Sequence, residues 1–389
     1  MLPDSRRELK LALLLFATAA VIVAAHPSSF AAQILHHRLG ASAVHLGMLF
    51  AFAGLGGLAT VPAAIWVDRR GPHPLMAIGA AVTAFGALAL ILATNMFTAS
   101  IAMFLTGLGG AGTGAVIFYS VAVQHISLRR GTVFGVLAAL FTARLNLSAL
   151  AYDTPSVVLT LIVAAAVFLA AAFLLYRYLP KLLPVTAVNT FVDSPKLTDL
   201  PGFWKTTIAL GLIFAVSQSI NSTSTIYQSW TLYEQDSTNF TLLIAGLKVA
   251  TALGALVFGI ASDRMPAQRL LLLAALLAAP ATALSLLPGA SATSVAAYAI
   301  LAFVKGAFIV LPWILLAERL PLNRFATLGV GFTFVGGVLG TLPAPLLVSL
   351  TLGVWGTSGP ATILIVLSLL AIAVAWRFPR PAPVPLPAD

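Results

Sequence analysis

Long apolar runs alternate with short polar ones along the whole chain. A helix crossing the hydrocarbon core needs about 20 apolar residues. Runs of that length predict twelve spans, at about 9–35, 43–66, 74–93, 96–122, 131–151, 156–176, 206–229, 239–261, 269–287, 293–317, 325–350 and 358–376. The one long polar interruption is Arg177 to Lys205, with Pro180, Pro184, Pro195 and Pro201. It falls between the sixth and seventh runs. The pattern therefore predicts an all-α polytopic membrane protein of 12 transmembrane helices in two six-helix halves. Residues 1–177 form the first half, 178–205 a linker, 206–378 the second half and 379–389 a proline-rich disordered tail.

The halves repeat. Ala64-Ile-Trp-Val-Asp68-Arg69-Arg70-Gly71-Pro72-His73 is a short, charged, turn-like stretch after the second run. Gly259-Ile-Ala-Ser-Asp263-Arg264 lies after the eighth. Asp68 and Asp263 are 195 positions apart, as are Arg129 and Arg324 ahead of the fifth and eleventh runs. Such self-similarity marks a duplication.

Composition agrees. Sixty per cent of residues are hydrophobic and 8% are charged, against about 25% charged in soluble domains. Mean hydropathy is +1.02. Seventeen of the Lys and Arg residues fall in segments on the side of the N-terminus, and only Arg38 falls opposite. The positive-inside rule then puts both termini and both Asp-Arg stretches in the cytoplasm, with a bacterial inner membrane as the expected location. Distributed this way, a net charge of +10 is a topology signal. It does not read as a nucleic-acid surface. Cysteine is absent from the chain, which excludes disulfides and thiolate metal sites. No phosphate-binding loop, metal-ligand helix motif or nucleophile triad is present, so neither an enzyme nor a cofactor is expected. His36, His37 and His45 cluster near the first outer loop, but no carboxylate accompanies them, so no metal site is read there.

Twelve spans in parallel halves, with an Asp-Arg stretch after the second and eighth, resemble the major facilitator superfamily (MFS). Its loop pattern is Gly-x-x-x-Asp-Arg/Lys-x-Gly-x-Arg/Lys-Arg/Lys. Asp68, Arg69 and Gly71 match it, while Ala64, His73 and Pro74 depart from it. Gly259, Asp263, Arg264 and Arg269 match the second copy, while Pro266 and Gln268 depart. The resemblance implies the MFS fold and alternating access. It implies that Asp68 docks at the start of the eleventh span and Asp263 at the start of the fifth, so that Asp68, Arg69, Gly71, Asp263, Arg264, Arg129 and Arg324 form gating latches. The competing reading is that the two carboxylates only cap turns. Proton-coupled members often carry an Arg where Met103 stands, and drug–proton antiporters a Gly-Pro element that the fifth span lacks. Both absences argue against multidrug proton antiport.

Three basic residues interrupt apolar runs: Arg144, Lys248 and Lys305. Each costs roughly 2.5–3.5 kcal/mol at the bilayer centre, so such residues face a cavity or a partner. The nearest acids, Asp153 and Glu318, fall at run ends, so an anionic substrate is expected as counter-charge. By resemblance the central cavity is lined by spans one, four, seven and ten, which include Lys305. Snorkelling of Lys248 and a structural role for Arg144 are the alternatives. Gln218, Asn221, Ser222 and Thr225 form a polar stripe on the seventh span, either lining the cavity or bonding helices together. Tyr119 on the fourth span and His26, beside the expected kink at Pro27, complete the candidate substrate-binding set. The expected function is transport of a small organic, carboxylate-like anion, with a proton as candidate co-substrate and a monomer in the bilayer. The alternatives are an exporter of hydrophobic or neutral compounds or drugs, and a non-transporting membrane sensor or assembly subunit.

Overall fold

In a computed structural model, described residues are 5–27, 39, 49, 52–53, 55–127, 129–143, 154–183, 204–213, 215–217, 237–285, 292–319, 325–336, 354 and 358–377. They form helices joined by short turns, with no strand among them. The labelled helices are α1 (Ser5–Ala24), α2 (Thr60–Arg70), α3 (His73–Leu92), α4 (Met96–Thr113), α5 (Ala115–His125), α6 (Arg130–Ala143) and α7 (Thr154–Leu182). After them come α8 (Ser237–Ser262), α9 (Ala267–Ser285), α10 (Ala292–Arg319), α11 (Phe325–Gly336) and α12 (Ser358–Trp376). A further apolar helix covers Trp204–Ser217. Six helices among the described residues are long and apolar enough to cross a membrane. Parts of the other expected spans lie outside those residues.

Several boundaries differ from the sequence expectation, each for a local reason. The first Asp-Arg stretch is not a loop: Asp68, Arg69 and Arg70 are the last turn of α2. Two arginines there complement the helix C-terminal dipole. Gly71 ends the helix at φ 84, ψ 164, a conformation open essentially only to glycine. Pro72 follows and Pro74 lies in the first turn of α3, where its missing N–H costs nothing. The apolar run 96–122 is two helices, α4 and α5, broken at Gly114, whose ψ of 161 is extended. Asn95 caps α4 in a reciprocal capping box with Thr98. The helix expected to stop near residue 176 continues to Leu182, with Pro180 inside its last turn. His26 does not sit at a kink inside a helix, because α1 stops at Ala24, before His26 and Pro27.

The chain packs as two compact units. One joins residues 1–128 to 144–192 and contains α1 to α5 and α7. Here α3 packs on α4 and on α7, and α1 packs on α7. The α3–α4 approach is close because Gly79 meets the backbone of Gly109 and Gly112, and Gly86 meets Thr106. Small residues at such crossings let backbones touch, the main source of helix association in lipid. Residues 116–123 of α5 are all buried, as expected of a helix apolar on every face.

The second unit joins residues 129–143 to 193–389. Here α6 packs on α8 and α10, α9 packs on α10 and α12, and α8 packs on α10. Gly254 lies against the backbone of Phe303, and Gly306 against that of Thr251 and Ala255. An aromatic cluster closes the core, with Trp313 4.7 Å from Phe332 and 5.9 Å from Phe325, and Phe134 6.2 Å from Phe325, centroid to centroid.

Candidate functional site

The best-defined polar contact in the second unit is at the start of α6. A helix N-terminus leaves its first amides without intrahelical partners. Asp263, in the turn after α8, supplies both carboxylate oxygens to them. The Gly131 amide donates to Oδ1 at 2.8 Å. The Thr132 amide donates to Oδ2 at 3.0 Å, and the Thr132 hydroxyl donates to the same oxygen at 2.5 Å. The carboxylate therefore also meets the positive end of the α6 dipole.

Glycines make this approach sterically feasible. A Cβ on Gly131 would meet Ser262 Oγ, the Gly259 carbonyl and Asp263 Oδ1. One turn on, Gly135 faces Gly259, and a Cβ on Gly259 would strike the Gly135 backbone. Arg129, exposed, adopts φ 51 where the chain turns into α6. Arg264 follows Asp263 in the turn and is exposed. This clustering of glycines escaped the sequence reading, although the Gly131-x-x-x-Gly135 spacing is a small-residue packing signal.

In the other unit Asp68 is half-buried and Arg69 is exposed, both on the last turn of α2 next to Gly71. Arg324 lies outside the described residues, as do Arg144, Gln218, Asn221, Ser222 and Thr225 and the histidines His36, His37 and His45.

Lys305 and Lys248 are brought together. They lie on α10 and α8, which the Gly254 and Gly306 contacts hold in close apposition. Both side chains are half-buried, and Lys248 is near enough for its charge to act on Lys305. The span that carries Lys305, Val295–Glu318, is 72% buried, against 28–50% for the other five long spans. It is thus surrounded mainly by protein. Glu318 is exposed near its end. Tyr119 lies in the first unit, buried within α5. His26 packs edge-on to Phe168 with ring centroids 6.2 Å apart. Among the described residues no group of three or more His, Asp or Glu side chains is placed to hold a metal ion.

One further clasp escaped the sequence reading. Glu8 on α1 accepts hydrogen bonds from the Ser127 amide at 3.2 Å and the Ser127 hydroxyl at 2.8 Å, just beyond α5. Its only signal was an acid alone among Arg6, Arg7 and Lys10.

Apolar spanning helices, small-residue crossings and a carboxylate docked on a helix start define a polytopic helical membrane protein. The Major Facilitator Superfamily sequence model matches residues 11–327, and the chain belongs to that family. Comparison with curated proteins returns no match. Among solved structures, an E. coli fucose:proton symporter, FucP, is similar at TM-score 0.73 and 13% identity, over 95% of this chain and 98% of that one. FucP in the outward conformation is similar at TM-score 0.74 and 14% identity, over 96% and 99%. The human organic anion transporter MFSD10 is similar at TM-score 0.71 and 14% identity, over 96% and 100%. At these identities the likeness concerns the fold.

Proposed function

We propose that this protein moves a small organic anion, carboxylate-like, across a bacterial inner membrane by alternating access, with both termini cytoplasmic. The observation that carries the reading is Lys305, a half-buried cation in the most protein-enclosed of the six long spans, with the charge of Lys248 close by. A cation enclosed in a membrane span is costly to keep without function, and a second lysine on the helix packed against it adds to a positive site that favours a negatively charged ligand. MFSD10, of similar fold, is described as an organic anion transporter, which is consistent with this charge. FucP is described as a fucose:proton symporter. A proton is therefore the candidate coupling ion here.

The Asp263 contact with α6 supports a second element of the reading, a latch that holds this side closed. Asp68, with Arg69 and Gly71, is its counterpart in the duplicated sequence. Arg144, Gln218, Asn221, Ser222, Tyr119 and His26 remain the further substrate-site candidates that the sequence offers.

The test is counterflow in proteoliposomes with a panel of mono- and dicarboxylates, neutral sugars and lipophilic cations. Wild type is expected to exchange a carboxylate. Lys305→Gln is expected to lose at least tenfold in apparent affinity, and Lys305→Arg to retain most of it, since a buried charged hydrogen bond is worth about 1.5–3 kcal/mol. Exchange of neutral or lipophilic compounds alone, unaffected by Lys305→Gln, would overturn the anion reading in favour of an exporter of hydrophobic or neutral compounds.

A further inference from the structure

The end of the first unit where α1 begins and α7 finishes carries a concentration of cations that belong to neither the Lys305 site nor the Asp263 contact. The contacts place α1, α3, α5 and α7 together there. Arg7 Nε donates to the Leu182 carbonyl at 2.8 Å. Glu8 holds Ser127. His73 Nε2 lies 3.0 Å from the Tyr176 carbonyl, and the His73 and Tyr176 rings stack at 5.4 Å with a 32° tilt. Around the His73–Tyr176 contact, Arg70, Arg177 and Lys181 are all exposed. The acids described at this end are Glu8, engaged with Ser127, and Asp68.

Two of these cations lie over exposed aromatic rings. The Arg70 guanidinium is 4.7 Å from the centroid of Trp66, and the Lys181 ammonium is 5.7 Å from that of Tyr178. Trp and Tyr settle at the headgroup level of a bilayer. The rings therefore fix the depth of the two charges where lipid phosphates lie, and cation–π contact holds them there. Below, α3 and α7, packed on each other, expose Ile78, Phe85, Leu169 and Phe173, surface suited to acyl chains.

We propose that the surface where α3 starts and α7 ends is a binding site for an anionic phospholipid, with Arg70, Arg177, Lys181 and His73 around the headgroup phosphate. The headgroup carries net negative charge, because a zwitterionic lipid would leave this many cations uncompensated. The acyl chains lie along the exposed apolar faces of α3 and α7. The site binds a structural lipid and is separate from the Lys305 site, which lies in the other unit.

The test uses the purified, delipidated full chain, titrated with dioleoyl phosphatidylglycerol and in parallel with dioleoyl phosphatidylcholine, with bound lipids counted by native mass spectrometry. A cation near the membrane surface contributes about fivefold to binding of an anionic lipid. Arg177→Gln with Lys181→Gln is therefore expected to weaken phosphatidylglycerol binding about 10- to 30-fold and to leave phosphatidylcholine unchanged. Lys205→Gln with Arg377→Gln removes the same charge at exposed positions of the other unit and is expected to change binding less than twofold. Arg70→Gln, a single exposed change, gives a second reading of about fivefold should the double variant fold poorly. Equal binding of the two lipids by wild type would overturn the proposal. So would an equal loss in the Lys205 and Arg377 control, which would mean that only diffuse charge is at work.

Discussion

Replacing Asp263 by alanine should open the proposed latch by an amount that can be set from its three hydrogen bonds. An N-cap side chain contributes about 1 kcal/mol, within 0.5–2. Charge-assisted bonds are roughly twice as strong as neutral ones, and a carboxylate at a helix N-terminus adds about 0.3–1 kcal/mol. Asp263 is exposed, so screening reduces the charge component. A net loss of about 1.5 kcal/mol follows for Asp263→Ala, which shifts the closed-to-open ratio about tenfold. Asp263→Asn keeps an acceptor oxygen and should lose about half of that free energy, a shift of about threefold.

The absence of cysteine from the chain makes the assay direct. A single Ala255→Cys substitution places a thiol on α8, fully buried and close to Gly135 of α6. Its reaction with a membrane-impermeant maleimide, added from the side of Asp263, reports separation of the two helices. The labelling rate should rise about tenfold with Asp263→Ala and about threefold with Asp263→Asn, and should fall back when substrate stabilises the closed form. Unchanged labelling in a folded Asp263→Ala protein would refute the latch. The carboxylate would then be a turn cap and nothing more. Equal rates for the Asn variant and the parent would remove charge from the argument.

Two further predictions concern the backbone. Gly259→Val should destabilise the protein more than Gly135→Ala in a thermal-unfolding series, by about 1–3 kcal/mol, because the added carbon at 259 meets backbone that cannot move aside. A wild-type melting temperature for Gly259→Val would show that α6 and α8 are not apposed there. Gly71→Ala should cost about 1–3 kcal/mol although a Cβ at residue 71 meets nothing within 4 Å. Its φ of 84 with ψ 164 is the sole cause, so Gly71→Asn should lose as much as Gly71→Ala, because the tolerance of Asn for positive φ is confined to the left-handed helical region.

Some residues of the candidate site were legible in one dimension. Asp263 could be singled out because a duplicated pattern put it 195 positions from Asp68. Lys305 stood out because a charge in an apolar run is expensive wherever the run lies. Asp68 was misread as part of a loop, because charged residues look like a boundary although arginines close a helix as readily as they flank one. Glu8 and His73 gave no usable signal. Their partners, Ser127 and the Tyr176 carbonyl, are 119 and 103 residues away.

The sequence by itself determined the solvent of this protein and its family, since hydropathy, charge asymmetry and a repeated motif are properties of the chain read in order. Only the tertiary structure decided which helices meet. Lipid is as apolar as leucine, so a spanning helix shows no hydrophobic face that names its neighbour. The α6–α8 contact exists because Gly131, Gly135 and Gly259 leave room for each other, a fit that no one helix contains. That fit brings Asp263 within reach of two free amides and turns a recurring acidic residue into a candidate gate.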